Sequence, residues 1–151
     1  VGTDFLSKEL IKRKYEINEE VKIYKSLYVK HIKNNGLAMG FLSKFQNAIY
    51  IMMLSSLMLF TFLFGKGFEK NSKIKNIGYS FVLSGGLGNF IDRFFNKNIT
   101  DFIYVKIDKR FKDKKINVPI FNIADIFILA GSVLMAVGEI VMQIKGLFNK
   151  K

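Results

Sequence analysis

Residues 45–64 form a mainly apolar run without a single charge. A bilayer's hydrocarbon core of ~30 Å asks for roughly 20 mainly apolar residues in a helix, so this run meets the requirement by itself. Two further stretches approach it. Residues 77–95 are interrupted by Gly85, Gly86, Gly88 and Asn89 and end on Asp92 and Arg93. Residues 120–144 begin just after Pro119, carry Asp125 near the start and Glu139 near the end. Proline is a normal opening for a helix, and small residues let helix backbones approach closely in lipid. Three such segments make the expected fold class mainly α, a polytopic membrane helical bundle. The alternative is a soluble protein with three core helices, but the chain holds too little amphipathic sequence to cover them from water.

Between the apolar segments the pattern changes. Residues 21–32 (VKIYKSLYVKHI) and 102–107 (FIYVKI) mix β-branched and aromatic residues with lysine at short spacing, which predicts strands on a wet surface. Residues 7–20 are charged and predict a short interfacial helix or the exit of one. The 151 residues form one domain, and their formal net charge of +12 suits polar loops beside anionic headgroups, although an AT-rich coding sequence would also enrich lysine. The link with Lys66, Lys70, Lys73 and Lys75 and the tail with Lys145, Lys150 and Lys151 share one side, but the opposite loops are basic too. Charge counting therefore leaves the orientation open.

Composition also removes chemistries. Without cysteine there is no disulfide and no thiolate nucleophile, and the lone His31 cannot build a multi-histidine metal site. His31 reads as a surface residue of a strand-like loop. Ser84 has no histidine in a span to activate it. No metal or other cofactor is expected.

Ionisable groups near membrane depth are costly and mark functional sites: here Asp92, Arg93, Asp101, Asp125 and Glu139. If the second and third spans run antiparallel, Asp101 and Asp125 meet at one membrane face. Asp125 lies five residues beyond Ile120, about 8 Å of helix rise and shallow enough for water. Two carboxylates held close cannot both ionise easily, so the pair offers an acid and a base together. Taken singly, Asp101 reads as a turn acid and Asp125 as a favourable charge at a helix N-terminus. Flanked by Asn89, Arg93 and Asn122, the two together are harder to read that way, and such a pair can activate water for attack on a peptide carbonyl. Glu139, at the opposite face, reads as a snorkelling or helix-pairing group. A rival reading makes Asp92 and Asp125 ion ligands of a small non-catalytic membrane protein. A second rival is an anchor that binds a partner through basic loops.

The stretch SGGLGNFIDRFFNKNITDFIYV resembles the glycine-rich helix, Gly-Asn, Asp-Arg and Thr-Asp-Phe series of the lipoprotein signal peptidases, or signal peptidase II. PIFNIADIFI is similar to that family's Phe-Asn-x-Ala-Asp motif, NNGLAMGF to its Asn-x-Gly-x-Ala-Phe loop, and DFLSK to its Asp-Gln-x-Thr-Lys. The resemblance covers almost the whole chain. It implies Asp101 and Asp125 as catalytic, and Asn34, Gly36, Asn89, Arg93, Asn122, Asp4 and Lys8 as substrate-binding or dyad-orienting. It further implies a multi-pass protein of the bacterial cytoplasmic membrane, with a small extracytoplasmic β-sheet over the helices. The implied substrate is a diacylglyceryl-modified prolipoprotein cut before its lipidated cysteine, and globomycin is the implied inhibitor. Membrane lipid is the other implied partner, nucleic acid is not expected, and the chain is read as a monomer.

The family has four membrane helices, so residues 1–6 read as a stub of the first, and residues 7–44 as extracytoplasmic. Phe5 stands for the usual Gln and Met39 for the usual Phe, changes expected to reshape the substrate channel. KIDKRFKDKK within residues 106–115 has no family counterpart and reads as a solvated or headgroup-touching loop.

Overall fold

The computed structural model describes residues 1–36, 44–68, 72–106, 110–111, 114–115 and 118–148. Met39, Lys70, Lys150 and Lys151 lie outside the described residues. The element order is α1 (Gly2–Lys14), β1 (Glu20–Tyr24), β2 (Leu27–Asn34), α2 (Gln46–Gly67), α3 (Lys73–Asn96), β3 (Ile99–Val105), β4 (Arg110–Phe111), β5 (Lys114–Lys115) and α4 (Ile123–Phe148).

The helical bundle is built around α3 and α4, and glycine decides how close they lie. A Cβ on Gly131 would come within 2.6 Å of the Gly78 carbonyl oxygen and 2.8 Å of the Val82 amide nitrogen. Gly78 meets the Gly131 carbonyl in the same way, at 2.8 Å, and Gly85 is pressed against the Ala124 carbonyl. Lipid offers little hydrophobic drive for helix pairing, so close backbone packing of this kind supplies it. At the far end Lys75 Nζ reaches Glu139 Oε2 at 2.6 Å, which makes Glu139 a helix-pairing group as anticipated.

Among the described residues two helices, α2 and α4, are long and apolar enough to cross a membrane. Their exposure separates the membrane reading from the soluble one. On α2 only Ile49 is buried, while Met58 is 66 % and Ile51 66 % exposed. A core helix would hide these side chains, whereas a soluble surface rarely leaves an apolar patch of such length uncovered. The anticipated 77–95 segment is the helix α3, but its Lys73, Lys75, Asp92 and Arg93 leave it less apolar than its neighbours.

β1, β2 and β3 form an antiparallel sheet in that order. The anticipated strand over 21–32 is two strands, because the chain reverses at Lys25, whose φ is +44°. The strand expected from 102 starts earlier, at Ile99, and so carries Thr100 and Asp101 as ladder residues, with Asp101 opposite Ile32. Within the lysine-rich stretch β4 pairs antiparallel with β5, with Arg110 opposite Lys115.

Two expectations are corrected. Pro119 does not open the last helix: Phe121 first bridges to Ile103, and α4 begins at Ile123. Asp125 is therefore in the first turn, not a further turn inside. His31 is not a surface residue but 3 % exposed, packed where its backbone bonds to Asn18 and Glu19.

Candidate active site

The start of α4 shows why an Asn and an Asp stand three residues apart. The Asn122 side-chain oxygen accepts from the Asp125 N–H at 3.0 Å, and the Asp125 carboxylate accepts from the Asn122 N–H at 3.1 Å. This reciprocal capping box satisfies helix N-terminal donors and fixes the Asp125 rotamer with one carboxylate edge toward the cavity. The other half of the Asn122 amide is then free to act across the site. Its Nδ2 donates to Asp101 Oδ1 at 2.7 Å, so one side chain is bonded to both aspartates. Asn122 is fully buried.

Asn89 repeats the device from α3. Its Nδ2 donates to Asp125 Oδ1 at 2.8 Å, and its oxygen accepts from Asn122 Nδ2 at 3.1 Å and Lys8 Nζ at 2.9 Å. From the sheet, Asn34 Nδ2 donates to Asp101 Oδ2 at 2.9 Å. Each carboxylate thus has both oxygens engaged by amide donors, and both line a cavity of about 530 Å³. Asp101 is 3 % exposed. Burial pushes its carboxyl up to about 6, the Asp125 charge adding to the rise while Asn34, Asn122 and the Lys8 charge oppose it.

The remaining anticipated residues lie one step removed from the two carboxylates. Arg93 touches neither carboxylate; its guanidinium donates to the backbone oxygens of Asn35 at 3.0 Å and Asn34 at 3.2 Å, and to that of Gly36. It clamps the turn that aims Asn34, and the Gly36 N–H completes the turn on Asn34 Oδ1 at 3.0 Å. Asp4 lies behind α4, accepting from the Ala124 N–H at 2.8 Å, and holds Lys8 at 2.8 Å. Neither Asp4 nor Lys8 lines the cavity, whereas Asn34, Gly36 and Asn89 do. The rival pairing of Asp92 with Asp125 is not formed. Asp92 accepts from the Thr100 N–H at 2.7 Å, Asn96 at 2.7 Å and Lys12 at 3.1 Å, and does not line this cavity.

Sequence reasoning missed the apolar wall, contributed by Met53, Leu57 and Phe60 of α2 and by Ile99, Ile120 and Ile128. An all-apolar helix carries no mark of which face looks inward. It also missed Gln46 and Tyr50, which bond to the Asn35 and Arg93 carbonyls and tie α2 to the clamp.

A family model described as "Signal peptidase (SPase) II" matches residues 1–141. The chain belongs to the signal peptidase II family. Among curated relatives, a lipoprotein signal peptidase of Wigglesworthia glossinidia brevipalpis is 32 % identical over 133 residues, 87 % of this chain and 83 % of that one. Two solved structures described as a bacterial membrane enzyme obtained by the in meso method are also similar. One has a TM-score of 0.77 at 28 % identity and covers 99 % of this chain and 85 % of its own. The other has 0.73 at 27 %, covering 89 % and 83 %. As a signal peptidase II, the protein is a membrane protease that removes signal peptides from prolipoproteins.

Proposed function

We propose that Asp101 and Asp125 are the catalytic pair of an aspartyl endopeptidase, and the observation that carries this is Asn122 bonded to both in one cavity. With one proton shared, the ionised carboxylate takes a proton from water as its oxygen attacks the scissile carbonyl carbon. The protonated one, for which Asp101 held up to about 6 is the better choice, donates to the developing oxyanion. Breakdown of the tetrahedral species breaks the C–N bond, the amine leaves with a proton from the pair, and no covalent enzyme intermediate forms. Asn34 and Gly36, which line the cavity, contact substrate backbone. Asn89, Asn122, Arg93, Asp4 and Lys8 hold the carboxylates in place.

The substrate segment is the one before a diacylglyceryl-modified cysteine, and the apolar cavity wall that α2 contributes to suits its lipid. On this reading residues 1–151 form a single membrane-embedded peptidase domain. Its membrane helices include α2, α3 and α4. The sheet and the dyad face the extracytoplasmic side of the bacterial cytoplasmic membrane, the protein acts as a monomer, and globomycin blocks it.

The test is cleavage of a lipid-modified precursor by Asp101→Asn and Asp125→Asn. General acid–base catalysis supplies about 10²- to 10⁴-fold per group, so each variant loses at least that much while remaining in the membrane. Processing at the parental rate by either one removes that aspartate from the mechanism.

A further inference from the structure

A second cavity, of about 850 Å³, lies where α1 and α3 end, and it shares no lining residue with the catalytic one. Lys12, Arg13, Lys14, Tyr15 and Glu16 line it from the end of α1, His31 and Lys33 from β2, and Asn96 and Asn98 from the end of α3. Four cations thus face one acid. Lys12 is paired with Asp92 and Glu9, and Lys14 stacks on the Tyr15 ring, but among the described residues Arg13 and Lys33 have no ion pair. The wall also holds an unsatisfied polar atom. His31 Nδ1 lies 2.8 Å from the Tyr15 carbonyl, which accepts its proton, while Nε2 is buried with no hydrogen-bond partner among the described residues.

What lies below the cavity narrows the ligand. On α1 the exposed face runs Leu6 (62 %), Leu10 (66 %) and then Arg13, an apolar strip that turns cationic within one turn. On α3 the exposed Phe94 and Phe95 immediately precede the cavity residue Asn96. An apolar strip ending in unpaired cations matches an acyl chain capped by a phosphate, and guanidinium and ammonium groups are the usual partners of phosphate oxygens.

We propose that this cavity binds the phosphate of an anionic phospholipid at the membrane boundary. It requires nothing of Asp101 or Asp125, so failure of the catalytic assignment leaves it standing. Because His31 is the one histidine among these 151 residues, its ring nitrogens give a single set of NMR signals in this chain. The ¹⁵N-histidine protein in phosphatidylcholine nanodiscs is titrated in separate arms with phosphatidylglycerol, oleate, and soluble glycerol phosphate. The expected result is a saturable shift with phosphatidylglycerol only. Arg13→Gln with Lys33→Gln weakens it about tenfold or more, two interfacial charges being removed. Both sites are at exposed positions, so folding is kept, and the unperturbed signals in phosphatidylcholine confirm it. No shift, an equal shift with oleate, or a shift unchanged in the double variant overturns the site. Saturation by soluble glycerol phosphate at equal concentration overturns the lipid as its source.

Discussion

Asn122 carries two jobs that the sequence joins in one residue. As a helix cap it satisfies Asp125 N–H, and as an amide donor it reaches Asp101, so the geometry of the pair depends on the start of α4. The motif made the aspartates and their asparagines legible, because polar residues at membrane depth are expensive and stand out. Arg93 was legible as important but not as a clamp on backbone carbonyls, since those carbonyls belong to a turn 57 to 59 residues away. The raised Asp101 carboxyl has a measurable consequence. Its folded value of about 6 exceeds the ordinary 3.8, so the folded state holds the proton more tightly than the unfolded one. That contribution, on the order of 3 kcal/mol, is complete below pH ~4 and is lost as pH rises through ~6. Thermal midpoints in detergent should therefore fall more steeply between pH 4 and 6.5 for the parent than for Asp101→Asn, whose amide does not titrate. Parallel curves would show that burial does not perturb Asp101.

Among the elements, α3 and α4 form the contact on which the rest is assembled, and its closeness rests on glycine. The same chemical change should have opposite effects at two places. Gly131→Ala sets a methyl against the Gly78 carbonyl, and a backbone atom cannot step aside as a side chain can. It should lower stability by about 1 to 3 kcal/mol, as overpacking does. Gly65→Ala, in open space on α2, should be neutral or stabilising, because alanine favours the helix by up to about 1 kcal/mol. Thermal midpoints and activity after heating compare the two; equal effects would mean that α3 and α4 lie further apart. The sheet shows a different limit of pattern reading. Its strands were visible as β-branched and aromatic runs, but the hairpin at Lys25 and the start of β3 at Ile99 were not. Pairing with β2 extends β3 back through Thr100 and Asp101, neither of which an apolar alternation would assign to a strand.

At the scale of the whole molecule, the dyad and sheet occupy one end, and the Lys75–Glu139 pair marks the other. The proposed orientation puts the first end outside. Since these 151 residues contain no cysteine, one thiol introduced into them is a clean reporter. A membrane-impermeant maleimide applied to spheroplasts should label Ser26→Cys, at the β1–β2 turn, and spare Gly146→Cys near the end of α4; the reverse pattern would invert the topology. The membrane character, the two most apolar spans and the candidacy of the two aspartates were determined by sequence alone, because each is a local property: apolar length, or charge placed where charge is costly. Which groups touch was decided only by tertiary structure. Asn34, Asn89 and Asn122 come from β2, α3 and the start of α4. Their convergence depends on the glycine-set spacing of the helices and on the sheet register, relations between distant segments that no local pattern encodes.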